Sequence, residues 1–234
     1  MSVVYGSQGL TPGWDPGKYL EFAGPRLRPA LDLLARVPLP APATVYDLGC
    51  GAGNVTKLLA ERWPGSTVTG VDGSPAMLAT ARAAAPAIAW VEADLATWHP
   101  PRPGDLFFSN AALHWLDDHP RLFPRLVANL APGGVLAVQM PRNHGAPSHT
   151  EMVAAAEAGP WRERLRPLLR GRPVAESSVY HGILAPHVSR LDIWETEYSA
   201  RNAEYSGRIA RAYPPGPDGR TLLPFRRLFI VATR

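Results

Sequence analysis

The chain of 234 residues is long enough for one domain with a sizeable core, since 46% of its residues are hydrophobic and 19% are charged. Its formal net charge of +4 does not by itself indicate a nucleic-acid partner, and no apolar run approaches the roughly 20 residues of a membrane helix. A single cysteine, Cys50, excludes an internal disulfide, and no secretory signal pattern is visible, so we expect a cytoplasmic protein.

The predicted elements begin after a Gly/Pro-rich stretch over 1–17. Apolar residues at near-helical spacing predict a helix over 19–34, interrupted by Pro25 and Pro29. Short apolar runs then alternate with helical patterns, which indicates right-handed crossovers and a parallel sheet covered by helices on both faces. The predicted strands cover 44–47, 67–71, 88–91, 105–109 and 135–140, and the predicted helices cover 55–63, 74–84 and 121–130.

Local sequence signals predict two element boundaries, a helix start and a turn. Ser74 and Pro75 are typical of a helix start, with serine as the cap and proline at the first helical position. Pro132-Gly133-Gly134 predicts a turn before the fifth strand. Beyond it the alternation stops: 149–190 is mostly helical in pattern, and 192–198 and 225–233 resemble strands without a crossover helix between them. We therefore expect these two strands to form an antiparallel pair at the sheet edge.

A glycine-rich loop carries the strongest chemical signal. In 47–53, Asp-Leu-Gly-Cys-Gly-Ala-Gly, three glycines stand at alternate positions directly after a strand, which is typical of a nucleotide site. Asn54 stands where a dinucleotide fingerprint has its third glycine, and the Gly-Lys-Ser/Thr ending of a phosphate loop is absent. The leading acid, Asp47, suits a cationic sulfonium cofactor better than a pyrophosphate.

Two further acids follow the next strands. Asp72 ends the second strand, where a carboxylate can accept both ribose hydroxyls, and Asp94 follows the third, where its oxygen can accept an adenine amino group. Either acid alone is as well explained by a turn or a helix cap. Three acids after three successive strands, with the glycine loop first, favour an adenosine-containing cofactor.

These motifs resemble those of the class I S-adenosylmethionine-dependent methyltransferases. More narrowly, the sequence resembles the trans-aconitate 2-methyltransferases over nearly its whole length. The class-wide stretches are 46–54 and 70–78, and the remaining similar stretches are 109–116, 139–143, 147–149, 194–198 and 223–229.

The resemblance implies an α/β, Rossmann-like class I methyltransferase fold with a mostly parallel seven-stranded sheet and an antiparallel edge hairpin. It implies one domain over 1–234, with a lid or helix over 1–40, a cofactor-binding core over 41–140, a helical acceptor-side segment over 141–191 and edge strands over 192–234. The implied activity is S-adenosylmethionine-dependent methyl esterification of trans-aconitate or a similar small polycarboxylic acid, by a monomer without membrane or nucleic-acid partners.

The resemblance also implies site residues. Those implied for the cofactor are Trp14, Arg26, Asp47, Gly49, Gly51, Gly53, Asp72, Gly73, Ser74, Met77, Asp94, Leu95, Asn110, Ala111 and Trp115. Those implied for the acceptor are Tyr19, Arg28, His114, Arg142 and Asn143, with His114, Trp115 and Arg142 as the catalytic set.

A carboxylate acceptor is already an anion at neutral pH, so no general base is required. We expect His114 to orient the acceptor, Trp115 to wall the pocket and Arg142 to hold a carboxylate. A satisfied core histidine, simple packing and a surface arginine are the respective alternatives. The histidines show no metal-ligand spacing, so no metal is expected.

One departure from the family bears on the acceptor. Only 199–211 joins the strand ending at Tyr198 to the turn at 212–214, where family members carry a longer helical stretch. A different small-molecule acceptor therefore stays open, as does a non-catalytic protein that binds S-adenosylmethionine. An RNA methyltransferase is a further alternative, but the sequence contains no RNA-binding module to support it.

Overall fold

A computed structural model of the chain describes residues 23–169, 173–202 and 211–234. The described helices are α1 (Ala23–Ala35), α2 (Asn54–Arg62), α3 (Pro75–Ala84), α4 (His119–Ala128), α5 (Pro147–Ala158), α6 (Arg162–Leu165) and α7 (Ser177–Leu184). The strands are β1 (Thr44–Leu48), β2 (Thr67–Asp72), β3 (Ala89–Glu92), β4 (Gly104–Asn110), β5 (Leu130–Pro141), β6 (Arg190–Asn202) and β7 (Thr221–Thr233). Short 3₁₀ turns cover Leu113–Trp115, Arg166–Leu168 and Ala185–His187.

The seven strands form one sheet in the order β3-β2-β1-β4-β5-β7-β6. The strands β3, β2, β1, β4 and β5 pair in parallel, each with its neighbour. Their carboxyl ends therefore share one edge, to which β1 brings Leu48, β2 brings Asp72 and β4 brings Asn110. In open parallel sheets this edge is where ligands bind, at the point where the strand order reverses.

The last two strands run antiparallel at the sheet edge. Along β5, Gly133 and Gly134 exchange backbone hydrogen bonds with Arg234, and farther along Arg142 N donates to Arg226 O. Ascending positions on β5 thus face descending positions on β7. Together with the parallel strands, this confirms the predicted mostly parallel seven-stranded sheet with an antiparallel edge.

The predicted turn at Pro132-Gly133-Gly134 is wrong, because β5 runs continuously from Leu130 to Pro141. Gly133 adopts φ +75°, which a glycine tolerates inside a strand, and the pairing of β4 with β5 shifts register between Gly104 and Leu106. The glycines therefore make an irregularity within the strand, and β7 pairs with it. The strands β6 and β7 are also longer than 192–198 and 225–233.

The central strands are buried on both faces, which is why they appear in the sequence as short apolar runs without alternation. Phe107 and Phe108 on β4 are both 0% exposed, and each contributes about 2 kcal/mol by burial. The predicted serine cap of α3 is confirmed, since Ser74 Oγ accepts a hydrogen bond from Met77 N at 3.4 Å. The buried strands form a rigid sheet, and the serine cap fixes the start of the helix that follows the carboxyl end of β2.

Contacts divide the chain into two compact units. Of the described residues, the first comprises 23–140, 176–194 and 229–234, and the second comprises 141–169, 173–175, 195–202 and 211–228. The assignment of 1–234 to one domain stays a prediction. Within the described ranges, no helix combines the length and the apolar character that a membrane crossing demands.

Candidate cofactor and acceptor site

The glycine loop follows β1 in the first unit and leaves room for a ligand at one position. A Cβ at Gly49 (φ +76°) would lie 2.1 Å from Ala112 Cβ, so that glycine is required by packing. Among the described residues, none has an atom within 4 Å of a Cβ built at Gly51 (φ +55°). The backbone around Gly51 is therefore open to a ligand that approaches closely.

Asp72 holds this loop from the end of β2. Its Oδ2 accepts a hydrogen bond from Gly51 N at 2.9 Å, and its Oδ1 accepts one from Ser74 N at 2.8 Å. Burial raises the pKa of the Asp72 carboxyl above its ordinary value, although these backbone donors oppose the rise. Gly73 N–H also interacts with this carboxylate, and since a carboxylate has about four acceptor sites, it retains capacity for a ribose hydroxyl.

Asp47 lies inside the protein. It is 1% exposed, and its Oδ2 accepts a hydrogen bond from Thr56 Oγ1 on α2 at 2.6 Å. Burial raises the pKa of the Asp47 carboxyl to about 7; the Thr56 hydrogen bond lowers it, and the charge of Asp72 raises it. The carboxyl therefore fastens β1 to the first turn of α2. The neighbouring Cys50 thiol is buried, and burial raises its pKa, so it stays protonated.

We expect Asp47→Asn to flatten the pH dependence of stability. The carboxyl has a pKa of about 7 when folded against an ordinary 3.8, so the folded state binds the proton more tightly. The free energy of unfolding therefore falls as pH rises from about 4 to about 7, by a few kcal/mol at roughly 1.4 kcal/mol per pKa unit. Asparagine keeps an acceptor for Thr56 but does not titrate.

Urea unfolding at pH 4, 5.5, 7 and 8 measures this slope. Thr56→Val is the matched control: it removes the hydrogen bond that lowers the pKa of Asp47, and so it should extend the slope to higher pH. An unchanged slope in Asp47→Asn would contradict the assignment.

Asp94 and Trp115 border the same open cleft in the first unit, which has a volume of about 470 Å³. Asp94 follows β3, and its Oδ1 accepts a hydrogen bond from Ala96 N at 2.9 Å. Arg125 on α4 fixes this loop: its guanidinium donates to Trp98 O at 2.6 Å, Leu95 O at 2.8 Å and Ala96 O at 2.9 Å. Trp115 thus lines the same cleft as Asp94, the acid predicted to accept the adenine amino group.

The chain turns sharply after β4. Ala111 has φ +55°, which is uncommon for a residue other than glycine, and its N–H donates to Gln139 O at 2.9 Å. The turn leads into the 3₁₀ helix that carries His114 and Trp115, whose ring centroids are 4.6 Å apart. His114 is only 6% exposed. Such local strain is characteristic of ligand-binding loops.

A buried histidine secures that 3₁₀ helix. His119 Nε2–H donates to Leu113 O at 3.0 Å, because a carbonyl only accepts; Nδ1 then accepts the hydroxyl of Tyr180 at 2.7 Å. Tyr180 on α7 is 0% exposed. His119 therefore links α7 to the residue that precedes His114.

In the second unit, Arg142 and Asn143 are both engaged with the protein. Arg142 Nη1 lies 2.6 Å from Glu195 Oε1, and Arg142 Nε donates to Ala175 O at 3.2 Å. Asn143 is 6% exposed, and its Oδ1 accepts a hydrogen bond from Arg226 N at 2.5 Å. Arg142 thus meets a carboxylate of the protein itself, with the geometry expected of a carboxylate-binding arginine.

The structure places most of the predicted residues. The first unit contains the glycine loop and most other predicted site residues: Asp72, Asp94, Asn110, His114 and Trp115, with the buried Ser74, Met77 and Leu95. The second unit contains Arg142 and Asn143. Trp14 and Tyr19 lie outside the described residues, as does the side chain of Arg26, and Arg28 on α1 is exposed. His119 and Arg125 were missed because their partners are distant in sequence.

The fold and this loop define the class I S-adenosylmethionine-dependent methyltransferases, and residues 45–134 match a family model described as a methyltransferase domain. An S-adenosylmethionine-dependent methyltransferase from Mesorhizobium loti superposes with a TM-score of 0.58 at 25% identity, covering 90% of this chain and 99% of that one. The expected class is therefore confirmed.

Curated relatives define the family more narrowly. A trans-aconitate 2-methyltransferase from Azoarcus sp. is 46% identical, covering 95% of this chain and 100% of the relative. One from Methylobacterium radiotolerans is 44% identical, covering 94% of this chain and 98% of the relative. The chain belongs to the trans-aconitate 2-methyltransferase family. The alignment with the Azoarcus protein spans 254 positions, more than the 234 residues here, so that relative has residues without a counterpart in this chain.

Proposed function

We propose that the protein transfers the methyl group of S-adenosylmethionine to a carboxylate oxygen of trans-aconitate, forming a monomethyl ester. The observation that carries the proposal is the 46% identity with a trans-aconitate 2-methyltransferase over 95% of this chain. The open space at Gly51 and the buried acceptor atom Asn110 Oδ1, which has no partner in the described structure, fit an adenosine cofactor with a cationic amino acid tail.

When bound, S-adenosylmethionine supplies an electrophilic methyl group on a sulfonium. Asp72 is proposed to accept the ribose hydroxyls while it holds the glycine loop through Gly51. Asp94 is proposed to accept a hydrogen bond from the adenine amino group. It lies on a loop that Arg125 holds by donating to the backbone carbonyl of Leu95. Both loops are thus fixed by hydrogen bonds within the protein itself, which favours a preorganised cofactor site.

The acceptor carboxylate is already ionised at neutral pH, so the residues must orient it and need not deprotonate it. His114, held on a rigid 3₁₀ helix, is proposed to orient the nucleophilic carboxylate, with Trp115 excluding water. Arg142, with Asn143 beside it in sequence, is proposed to bind a second carboxylate of the substrate. The residues that the Azoarcus relative has and this chain lacks support one alternative, a different small-molecule acceptor.

Mass spectrometry tests the proposal on the full chain with S-adenosylmethionine and trans-aconitate, cis-aconitate, citrate or isocitrate. We expect a mass gain of one methylene on trans-aconitate, and its loss in Asp72→Ala. Methylation of another acid alone would assign the alternative acceptor. Binding of the cofactor without any methylated acid would overturn the proposal in favour of a non-catalytic binding protein.

The expected cellular location, the absence of a metal and the oligomeric state stay predictions. The chain has a single cysteine, Cys50, and this low cysteine content supports a cytoplasmic setting. Among the described residues no cluster of metal-binding side chains occurs, and the proposed reaction requires no metal. The expected monomer, acting on a small carboxylic acid, is part of the same proposal.

A further inference from the structure

Two amide side chains stand side by side at the carboxyl edge of the sheet. Asn110 ends β4, and its register partner on β5 is Gln139, which is 1% exposed. Within the described structure, Asn110 Oδ1 and Gln139 Nε2 are both buried and neither has a hydrogen-bond partner. One is an acceptor and the other a donor, on adjacent strands about 4.8 Å apart.

An unpartnered buried amide destabilises a protein as much as a lost hydrogen bond does, so natural sequences rarely retain one without a use. A leucine at either position would fill a similar volume without leaving a polar atom unpaired. A polar pair kept at the ligand-binding edge of the sheet therefore points to partners supplied by ligands.

The polarity of each amide atom matches one of the two reactants. A carbonyl oxygen such as Asn110 Oδ1 accepts hydrogen bonds, which suits the cationic amino acid end of the methyl donor. An N–H such as that of Gln139 donates, which suits a carboxylate oxygen. The terminal torsion of glutamine is broad, so its amide can turn toward a ligand at small cost.

We propose that Gln139 binds the acceptor by donating its Nε2–H to the carboxylate that receives the methyl group, next to the donor-binding Asn110. This assignment rests on the proposed function. A neutral amide suits the reacting carboxylate because its hydrogen bond is weaker than that of an arginine. It therefore orients the oxygen without suppressing its nucleophilicity, whereas a charged arginine suits a carboxylate that does not react.

The test compares wild type with Gln139→Leu in three measurements. We expect the melting temperature to stay equal or rise, because an unpartnered amide is replaced by an apolar group of similar size. We expect the dissociation constant for S-adenosylhomocysteine to change by less than about threefold, and the KM for trans-aconitate to rise about 10- to 100-fold. Gln139→Glu places an anion opposite an anion, so it should raise the KM further.

Asn129→Leu is the matched control. Asn129 follows α4, and its Nδ2 donates to Arg125 O at 2.8 Å, so this amide is satisfied within the protein. We expect its removal to lower the melting temperature and leave the KM for trans-aconitate unchanged. Gln139→Leu should therefore raise the KM without lowering the melting temperature, whereas Asn129→Leu should lower the melting temperature without raising the KM.

Three outcomes would overturn the assignment. A lower melting temperature in Gln139→Leu with an unchanged KM would make Gln139 a structural partner of Asn110. A rise in the dissociation constant for S-adenosylhomocysteine equal to the rise in KM would place it on the cofactor. If wild type neither methylates trans-aconitate nor gains thermal stability from it beside S-adenosylhomocysteine, the proposed function fails and the assignment falls with it. A failure confined to Gln139→Leu leaves the proposed function intact.

Discussion

Replacing Gly51 by alanine is expected to leave the protein folded and to abolish cofactor binding. In the part of the chain that the structure describes, no atom lies within 4 Å of a Cβ at this position, so the change creates no clash there. The φ of +55° costs an alanine roughly 1 to 2 kcal/mol. The added methyl instead fills the space in which the ligand approaches the loop backbone. Overpacking costs up to about 3 kcal/mol, so we expect a loss of affinity for the cofactor on the order of 100-fold.

Gly49→Ala is the contrasting variant on the same loop. Its Cβ would lie 2.1 Å from Ala112 Cβ at a φ of +76°, so overpacking adds about 1 to 3 kcal/mol to the backbone strain. We expect this variant to unfold at markedly lower temperature. Differential scanning fluorimetry and calorimetric titration with S-adenosylhomocysteine separate the two effects. Tight binding by a folded Gly51→Ala would show that the ligand does not approach Gly51.

The sequence predicts the central sheet because burial on both faces leaves a local signature. Strands β1 and β4 consist of short apolar runs, and each is followed by a loop rich in small or polar residues. The glycine loop is equally local, since the positive φ angles of Gly49, Gly51 and Gly53 favour glycine over any other residue. Both features are therefore visible without any partner in space.

The role of each acid is not visible in the same way. Sequence spacing places Asp47, Asp72 and Asp94 after three strands, but it does not tell which side of the strand each carboxyl occupies. In the structure Asp47 points into the protein toward Thr56, and Asp72 points toward the loop. A strand end that looks like a ligand contact can equally be a structural anchor.

Supporting residues with partners far away in sequence escape prediction altogether. His119 binds Tyr180 across 61 positions, and Arg125 binds the carbonyl of Leu95 across 30. The extent of β6 and β7 is also set by pairing between distant segments, and their ends were underestimated for this reason. Non-local contacts, not local propensities, decide these features.

Arg142→Met is expected to raise the KM for trans-aconitate on the order of 100-fold, which is typical when one partner of a desolvated charge pair is removed. The same change should also destabilise the second unit. Arg142 and Glu195 are 2.6 Å apart, with side chains only 16% and 25% exposed, so Glu195 would lose its short charge-assisted hydrogen bond. Arg226 lies 4.0 Å from Glu195 and compensates only in part, which leaves a loss of about 2 kcal/mol.

Lower activity in Arg142→Met alone is therefore ambiguous, because a loosened second unit and a lost substrate contact both reduce turnover. The double variant Arg142→Met with Glu195→Leu separates them, since it removes both charges and leaves neither buried without a partner. Urea unfolding should show that stability largely returns. Initial rates should show that the KM stays high if Arg142 binds a substrate carboxylate.

Recovery of the wild-type KM in the double variant would contradict the proposed role of Arg142 and make it a structural partner of Glu195. The two roles predict different responses because Glu195 already occupies the guanidinium with the chemical group that the substrate carries. An arginine that serves only Glu195 becomes dispensable once Glu195 is gone. An arginine that also holds the acceptor does not, since the substrate still carries a carboxylate that requires a cation.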